Sequence, residues 1–311
     1  MSSVRRTELS PPVSGFVAAP FTPMKPDATV DFDKIDPYAG HLKADGVSGV
    51  FVNGTTGEGY SLSRDERLAT AERWIAHQDE SFSVIVHVGA ESVADAQALT
   101  RHAAEIGAFA VGTISPVFYR PNLDGIIRWL HTIAEVADGL PLYYYHIPSM
   151  TGAYLSVVEL LERAATELPT LRGVKFTHND LMEYRLCRAV ADGRFDVLFG
   201  RDEILLSALA LGAQGMVGSM YNYAAPLFTR LVAAFSEGEL ERADRLQEKI
   251  MHHTAVLKSC GGLACGKALM SAVGLDLGPC RAPNALPPAD LVETAVTRSR
   301  ELGVIPAASP V

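Results

Sequence analysis

Along most of this chain, short runs that are apolar on both faces alternate with longer amphipathic stretches. Gly15 to Pro20 (GFVAAP) reads as a first strand, Asp33 to Ala44 as a helix, and Gly49 to Val52 (GVFV) as a second strand. Ser63 followed three residues later by Glu66 has the form of a capping box, which predicts a helix running to about Ala76. The strand series continues with Ser83 to Val88, Phe109 to Thr113, Pro141 to Tyr145, Arg172 to Phe176, Phe195 to Phe199 and Gly215 to Gly218. Helices are expected over Ser92 to Ile106, Leu123 to Val136 and Ser156 to Ala165. Strands without a polar face belong in a parallel sheet covered on both sides. Eight βα units closing on themselves give an α/β fold of the (β/α)8 kind, the TIM barrel. The competing architecture, an open doubly wound sheet, places a glycine-rich phosphate loop after the first strand. Pro20-Phe21-Thr22-Pro23 stands there instead. From Ala224 to Gly303 the pattern is helical, broken at Gly261-Gly262 and across Gly278 to Pro288. The expected division is a loose N-terminal arm over 1–14, a barrel over 15–236 and a C-terminal helical extension over 237–311.

The length of 311 residues fits this picture, since such a barrel takes about 250 residues and leaves room for extra helices. A chain of this size buries a full core without needing disulfides or a structural metal. Its net charge is −9, with no basic run beyond Arg5-Arg6, which argues against nucleic acid or an anionic membrane as the main partner. A small anionic substrate stays compatible, because backbone N–H groups can bind a carboxylate locally. The cysteines Cys187, Cys260, Cys265 and Cys280 are scattered, as suits a reducing compartment, and a cytoplasmic location is expected. Cys260 and Cys265 bracket Gly261-Gly262 without a nearby histidine, which gives little support to a zinc site. No segment approaches the roughly 20 apolar residues of a membrane span. Met1 to Ser14 is polar, contains Pro11-Pro12 and lacks the apolar stretch of a signal peptide.

In a barrel of this kind the chemistry sits at the C-terminal ends of the strands. Lys175 ends the sixth, in Gly173-Val174-Lys175-Phe176-Thr177. Inside a barrel mouth its ammonium would be desolvated, its pKa lowered and its amine exposed as a nucleophile. The plainer alternative is a strand-end lysine facing solvent. Asn53-Gly54-Thr55-Thr56-Gly57-Glu58 forms a tight turn whose hydroxyls and consecutive N–H groups suit an anion, or else an ordinary βα turn. In Tyr143-Tyr144-Tyr145, strand alternation puts Tyr143 and Tyr145 on one face, so Tyr145 is either a proton shuttle or a core aromatic. Asp202-Glu203 opens a helix after the seventh strand, where carboxylates either complement the macrodipole or accept hydrogen bonds from a polyol. His87 and His146 also end strands, and a structural role suits them better.

Taken together, these segments resemble the family of pyruvate-dependent class I aldolases that contains N-acetylneuraminate lyase and dihydrodipicolinate synthase. The resemblance runs from Pro20 to the helical tail. Gly54-Thr55-Thr56-Gly57-Glu58 looks like the family's carboxylate-binding loop, Tyr145-His146-Ile147-Pro148 like its tyrosine motif and Gly173-Val174-Lys175 like its Schiff-base motif. A synthase is expected to carry an arginine shortly after the Tyr-x-x-Pro motif, and Met150 cannot form that ion pair. Phe199-Gly200-Arg201-Asp202-Glu203 and Gly218-Ser219-Met220-Tyr221-Asn222-Tyr223 are similar to animal-type N-acetylneuraminate lyases.

The resemblance implies Lys175 and Tyr145 as catalytic residues and Thr55 and Thr56 as carboxylate donors. It implies that Thr177, Gly200, Asp202, Glu203 and Ser219 hold the sugar's hydroxyl chain. The implied reaction cleaves N-acetylneuraminate to pyruvate and N-acetylmannosamine, with a homotetrameric assembly. The alternatives are a related aldolase or synthase with another aldehyde partner, and a non-catalytic keto-acid binder. No metal or organic cofactor is expected, because the lysine supplies the electrophile. One departure stands out: Phe118, followed by Tyr119, occupies the place where many relatives carry a relay tyrosine.

Overall fold

The computed structural model describes residues 12–307. Eight parallel strands close into a barrel in chain order: β1 (Gly15–Ala18), β2 (Gly49–Val52), β3 (Ser83–His87), β4 (Ala110–Ile114), β5 (Leu142–His146), β6 (Leu171–Phe176), β7 (Asp196–Phe199) and β8 (Gly215–Gly218). β8 pairs back onto β1, with Val17 opposite Val217. The covering helices are α1 (Ile35–Ala44), α2 (Arg64–Ile75), α3 (Val93–Glu105), α4 (Leu123–Ala134), α5 (Pro148–Thr151), α6 (Val157–Glu167), α7 (Leu181–Cys187), α8 (Leu205–Ala210) and α9 (Tyr221–Ser236). Then come α10 (Leu240–Ser259), α11 (Leu263–Leu269) and α12 (Ala289–Glu301). The sequence expectation of a (β/α)8 barrel followed by helices therefore holds.

Alternation along each strand sorts its side chains into two cores. Val17, Phe51, Ile85, Tyr143, Tyr145, Leu198 and Val217 fill the barrel interior. Val50, Val52, Tyr144, Val174 and Phe176 face outward into the layer shared with the helices. The tyrosine triplet of β5 divides as its period of two requires. The capping box at α2 is complete: Ser63 accepts from Glu66 N, and the Glu66 carboxylate accepts from Ser63 N at 2.8 Å.

The floor of the barrel is closed by Asp196. Its Oδ2 accepts from Tyr143 Oη at 2.8 Å and from Val13 N at 3.2 Å, and its Oδ1 meets Arg172 Nη2 at 3.2 Å. Of the expected arm 1–14, residues 1–11 lie outside the described residues, whereas Val13 is buried in the inner core. Two elements escape the sequence pattern. α5 is a single turn launched by Pro148, and α7 buries only Tyr184 and Cys187, too few positions to show a helical period. The helices after α9 are part of the scaffold of the barrel mouth. Gln247 on α10 accepts from Leu206 N at 2.8 Å and donates to Asp202 O at 3.4 Å, bracing the turn after β7.

Candidate active site

β6 carries Lys175 into the barrel interior, and the register places it directly beside Tyr145 of β5. Its side chain is buried, with Nζ 4.0 Å from the ring centre of Tyr145 and 4.3 Å from that of Phe51. Burial lowers the lysine's pKa below the ordinary 10.5, while Tyr145 and the Asp202 carboxylate pull the other way. The net result is an amine that gives up its proton more readily than a solvated lysine, which is what imine formation with a ketone requires. Tyr145 is itself packed edge-on against Phe51, with ring centres 5.6 Å apart.

Next to the Lys175 strand, the turn after β7 brings Asp202 into the cavity. Asp202 Oδ2 accepts from Met220 N at 3.0 Å, and its buried Oδ1 has no partner among the described residues. Burial pushes the carboxyl up to about 6, against the Met220 N–H and the Tyr221 hydroxyl, which favour the charged form, so it is mostly ionised at neutral pH. The Thr177 hydroxyl is likewise buried and unpaired. Both groups lie flat against backbone: a Cβ at Gly218 would overlap Asp202 Oδ1, and one at Gly200 would overlap Thr177 Oγ1. Glu203 is paired with Arg201 at 2.6 Å near the mouth. Gly218→Ala is therefore expected to displace the Asp202 carboxylate and to destabilise the fold by about 1–3 kcal/mol, the usual range for overpacking. Denaturant unfolding measures the second effect, and an unchanged midpoint would show that the Asp202 turn yields freely.

The turn after β2 brings Thr55 and Thr56 to the same space. Asn53 and Glu58 flank them at positive φ, 60° and 54°, although neither is glycine. Such conformations cost about 1–3 kcal/mol each and persist only where the surroundings impose them. Asn53 Nδ2 donates to Arg67 O at 2.9 Å, and Thr22 Oγ1 donates to Gly57 O at 2.6 Å.

All nine residues singled out in the sequence, Lys175, Tyr145, Thr55, Thr56, Thr177, Gly200, Asp202, Glu203 and Ser219, line one cavity of about 260 Å³. Arg201, Tyr223, Thr254 and Lys258 line it as well. Arg201 sits inside a motif already in hand, but Thr254 and Lys258 lie on α10, where nothing in the sequence marks them as facing the barrel. His87 and His146 are buried outside the cavity lining, and burial lowers the pKa of both, His146 to about 3. Phe118 and Tyr119 stack edge-on at 5.0 Å and are 78% and 81% exposed, away from Lys175. Among the described residues no group of acids, histidines or cysteines could hold a metal ion, and the four cysteines are buried and unpaired.

The model of the dihydrodipicolinate synthetase family matches residues 12–294. The chain belongs to that family. Within it, the N-acetylneuraminate lyase A of Xenopus laevis is 42% identical over 277 residues, covering 87% of this chain and 90% of that protein. The N-acetylneuraminate lyase of Homo sapiens is 40% identical over 298 residues, covering 93% and 92%. Among solved structures, the N-acetylneuraminate lyase (sialic acid aldolase) of Aliivibrio salmonicida matches with a TM-score of 0.92 at 39% identity, over 95% of this chain and 99% of that one. A dihydrodipicolinate synthase of Bacillus anthracis matches with a TM-score of 0.86 at 26% identity, over 94% and 99%. The barrel is thus common to proteins named for different activities, and specificity has to be argued from the side chains.

Proposed function

We propose that this protein is a pyruvate-dependent class I lyase that cleaves N-acetylneuraminate to pyruvate and N-acetylmannosamine. The observation that carries the reading is the burial of Lys175 against Tyr145 in a cavity that also offers an unpaired carboxylate oxygen and an unpaired hydroxyl. The neutral amine of Lys175 attacks the keto carbon of the open-chain sugar acid, and loss of water gives an iminium. Thr55 and Thr56 hold the substrate carboxylate. The Tyr145 hydroxyl gives its proton to that departing water; the phenolate left behind takes the C4 hydroxyl proton as the C3–C4 bond breaks, and the bond's electron pair passes into the iminium to form an enamine. The aldehyde leaves, the enamine is protonated at C3, and hydrolysis releases pyruvate and the free lysine. Thr177, Gly200, Asp202, Glu203 and Ser219 receive the hydroxyl chain, with Asp202 Oδ1 and Thr177 Oγ1 free to bond it. Met150, exposed on α5, has no positive charge to offer the carboxylate of a semialdehyde partner.

The helices beyond residue 236 belong to this scheme as one wall of the site. The assembly is taken as a homotetramer and the location as cytoplasmic, readings supported by the family resemblance and by four free cysteines; no helix among the described residues is long and apolar enough to cross a membrane. The test is incubation with N-acetylneuraminate, following pyruvate by a coupled dehydrogenase and the released sugar by chromatography. Equimolar pyruvate and N-acetylmannosamine are expected. Pyruvate-dependent condensation with other aldehydes, without this cleavage, would replace the sugar substrate while keeping the chemistry.

A further inference from the structure

The cavity has two walls that are distant in the chain. One is the turn carrying Thr55 and Thr56, and the other is the start of α11, where Gly262, Leu263 and Gly266 face the same space. The residue closing each wall reaches across to the other. Lys267 Nζ donates to Glu58 Oε1 at 3.0 Å, and both side chains are 0% exposed. The extension supplies the rest of their bonding. Lys267 also donates to Pro279 O at 2.6 Å, and Glu58 Oε2 accepts from Arg281 N at 2.8 Å and from Asn284 Nδ2 at 3.4 Å. Arg281 in turn is clamped by Glu66 at 2.6 and 2.8 Å.

An ion pair taken wholly out of water returns little net stability, because desolvating the two charges offsets their attraction. Fixing a position is what such a pair does well, and the segment it fixes resists its own conformation. Asn53 and Glu58 hold positive φ at the two ends of the threonine turn. The Asn53 end is pinned to α2 through Arg67 O. At the Glu58 end, Thr22 Oγ1 holds Gly57 O and backbone bonds close the turn on itself, but the Glu58 carboxylate ties it to the extension: every partner of that carboxylate lies beyond residue 260.

We propose that the Glu58–Lys267 pair is a positioning device that holds the Thr55-Thr56 turn in the shape that receives a keto acid's carboxylate, so that the C-terminal extension sets the enzyme's affinity for its keto acid. The inference rests on the reading of that turn given above. Its test removes both charges together, Glu58→Gln with Lys267→Met, so that no lone charge stays buried. Borohydride trapping at Lys175 is measured against pyruvate and against acetone, a ketone without a carboxylate. The pyruvate concentration for half-maximal trapping is expected to rise roughly ten- to hundredfold, the scale of one hydrogen bond to a charged group. Trapping at saturating pyruvate, and trapping by acetone, are expected to match the wild type. Glu58→Gln alone keeps the side chain's volume and an acceptor for the Arg281 N–H; it is expected to shift pyruvate in the same direction and decides the matter if the double variant does not fold. An unchanged pyruvate requirement, or equal losses with pyruvate and acetone, would overturn the proposal. A wild type that traps acetone without preferring pyruvate would overturn the role of the turn, and one that traps neither would overturn the Lys175 reading and this inference with it.

Discussion

Lys175→Ala is expected to abolish cleavage, by a factor on the order of 10⁶, the scale on which deleting a covalent nucleophile acts where the chemistry runs through it. No other amine can stand in. Lys267 is locked in a closed ion pair, and Lys258 sits exposed at the mouth. The fold should survive the change. The Lys175 ammonium is disfavoured by burial, so its pKa in the folded chain lies below 10.5, and between those two values the unfolded chain binds the extra proton. Stability from this group therefore rises with pH over that window, and at neutral pH the native state carries a penalty that alanine removes. That gain opposes the packing lost with the butyl stem, and the melting temperature is expected to move little. The decisive measurement is reductive trapping with pyruvate followed by peptide mapping. The wild type should gain the mass of a reduced pyruvate adduct on Lys175, and the variant should gain none. Because each unit of pKa depression makes the free amine about tenfold more abundant at neutral pH, the trapping rate should level off at a pH below 10.5. A label on Lys258, or a plateau at the pH of an ordinary lysine, would mean that the barrel interior does not activate this amine.

The parts of the molecule that were legible in the sequence are those whose physics is local. Strands apolar on both faces report burial on both sides, and the alternation in Tyr143-Tyr144-Tyr145 assigned each ring to the correct core. The Ser63–Glu66 capping box fixed the start of α2 to the residue. β1, in contrast, stops at Ala18 and not at Pro20, because a proline has no N–H to contribute to the ladder. α7 went unseen because seven residues with two buried positions show no period. What sequence could not give were the long-range partners. Gln247 bonds the turn after β7 from 41 and 45 residues away, and Lys267 reaches Glu58 across 209 residues. Glu58 stood at the end of a motif already picked out, yet its partner is a lysine in a helix with no signature. The extension reads as an appendage in the sequence and acts as a wall of the cavity in the fold.

Tyr145→Phe separates proton transfer from covalent attachment at Lys175. The substitution keeps the ring, hence the edge contact with Phe51 and the face presented to Lys175, and removes only the hydroxyl. Turnover of N-acetylneuraminate is expected to fall about 10²–10⁴-fold, the contribution of a positioned proton carrier, while saturating pyruvate still traps on Lys175. The pH–rate profile adds a control that the lost hydroxyl does not touch. Asp202 is pushed up to about 6 by burial, so below that pH its carboxylate gains a proton and loses acceptor capacity toward the sugar hydroxyls. Cleavage should therefore decline as pH falls through about 6 in both wild type and variant, with the whole profile lowered in the variant. If Tyr145→Phe retained turnover within a few fold, the proton would have another carrier. Phe118 and Tyr119 could not supply it within one chain, since both face solvent away from the lysine. The relay would then have to run through a group reaching the cavity from outside the chain or through bound water, and Tyr145 would be reduced to the aromatic wall that desolvates the amine.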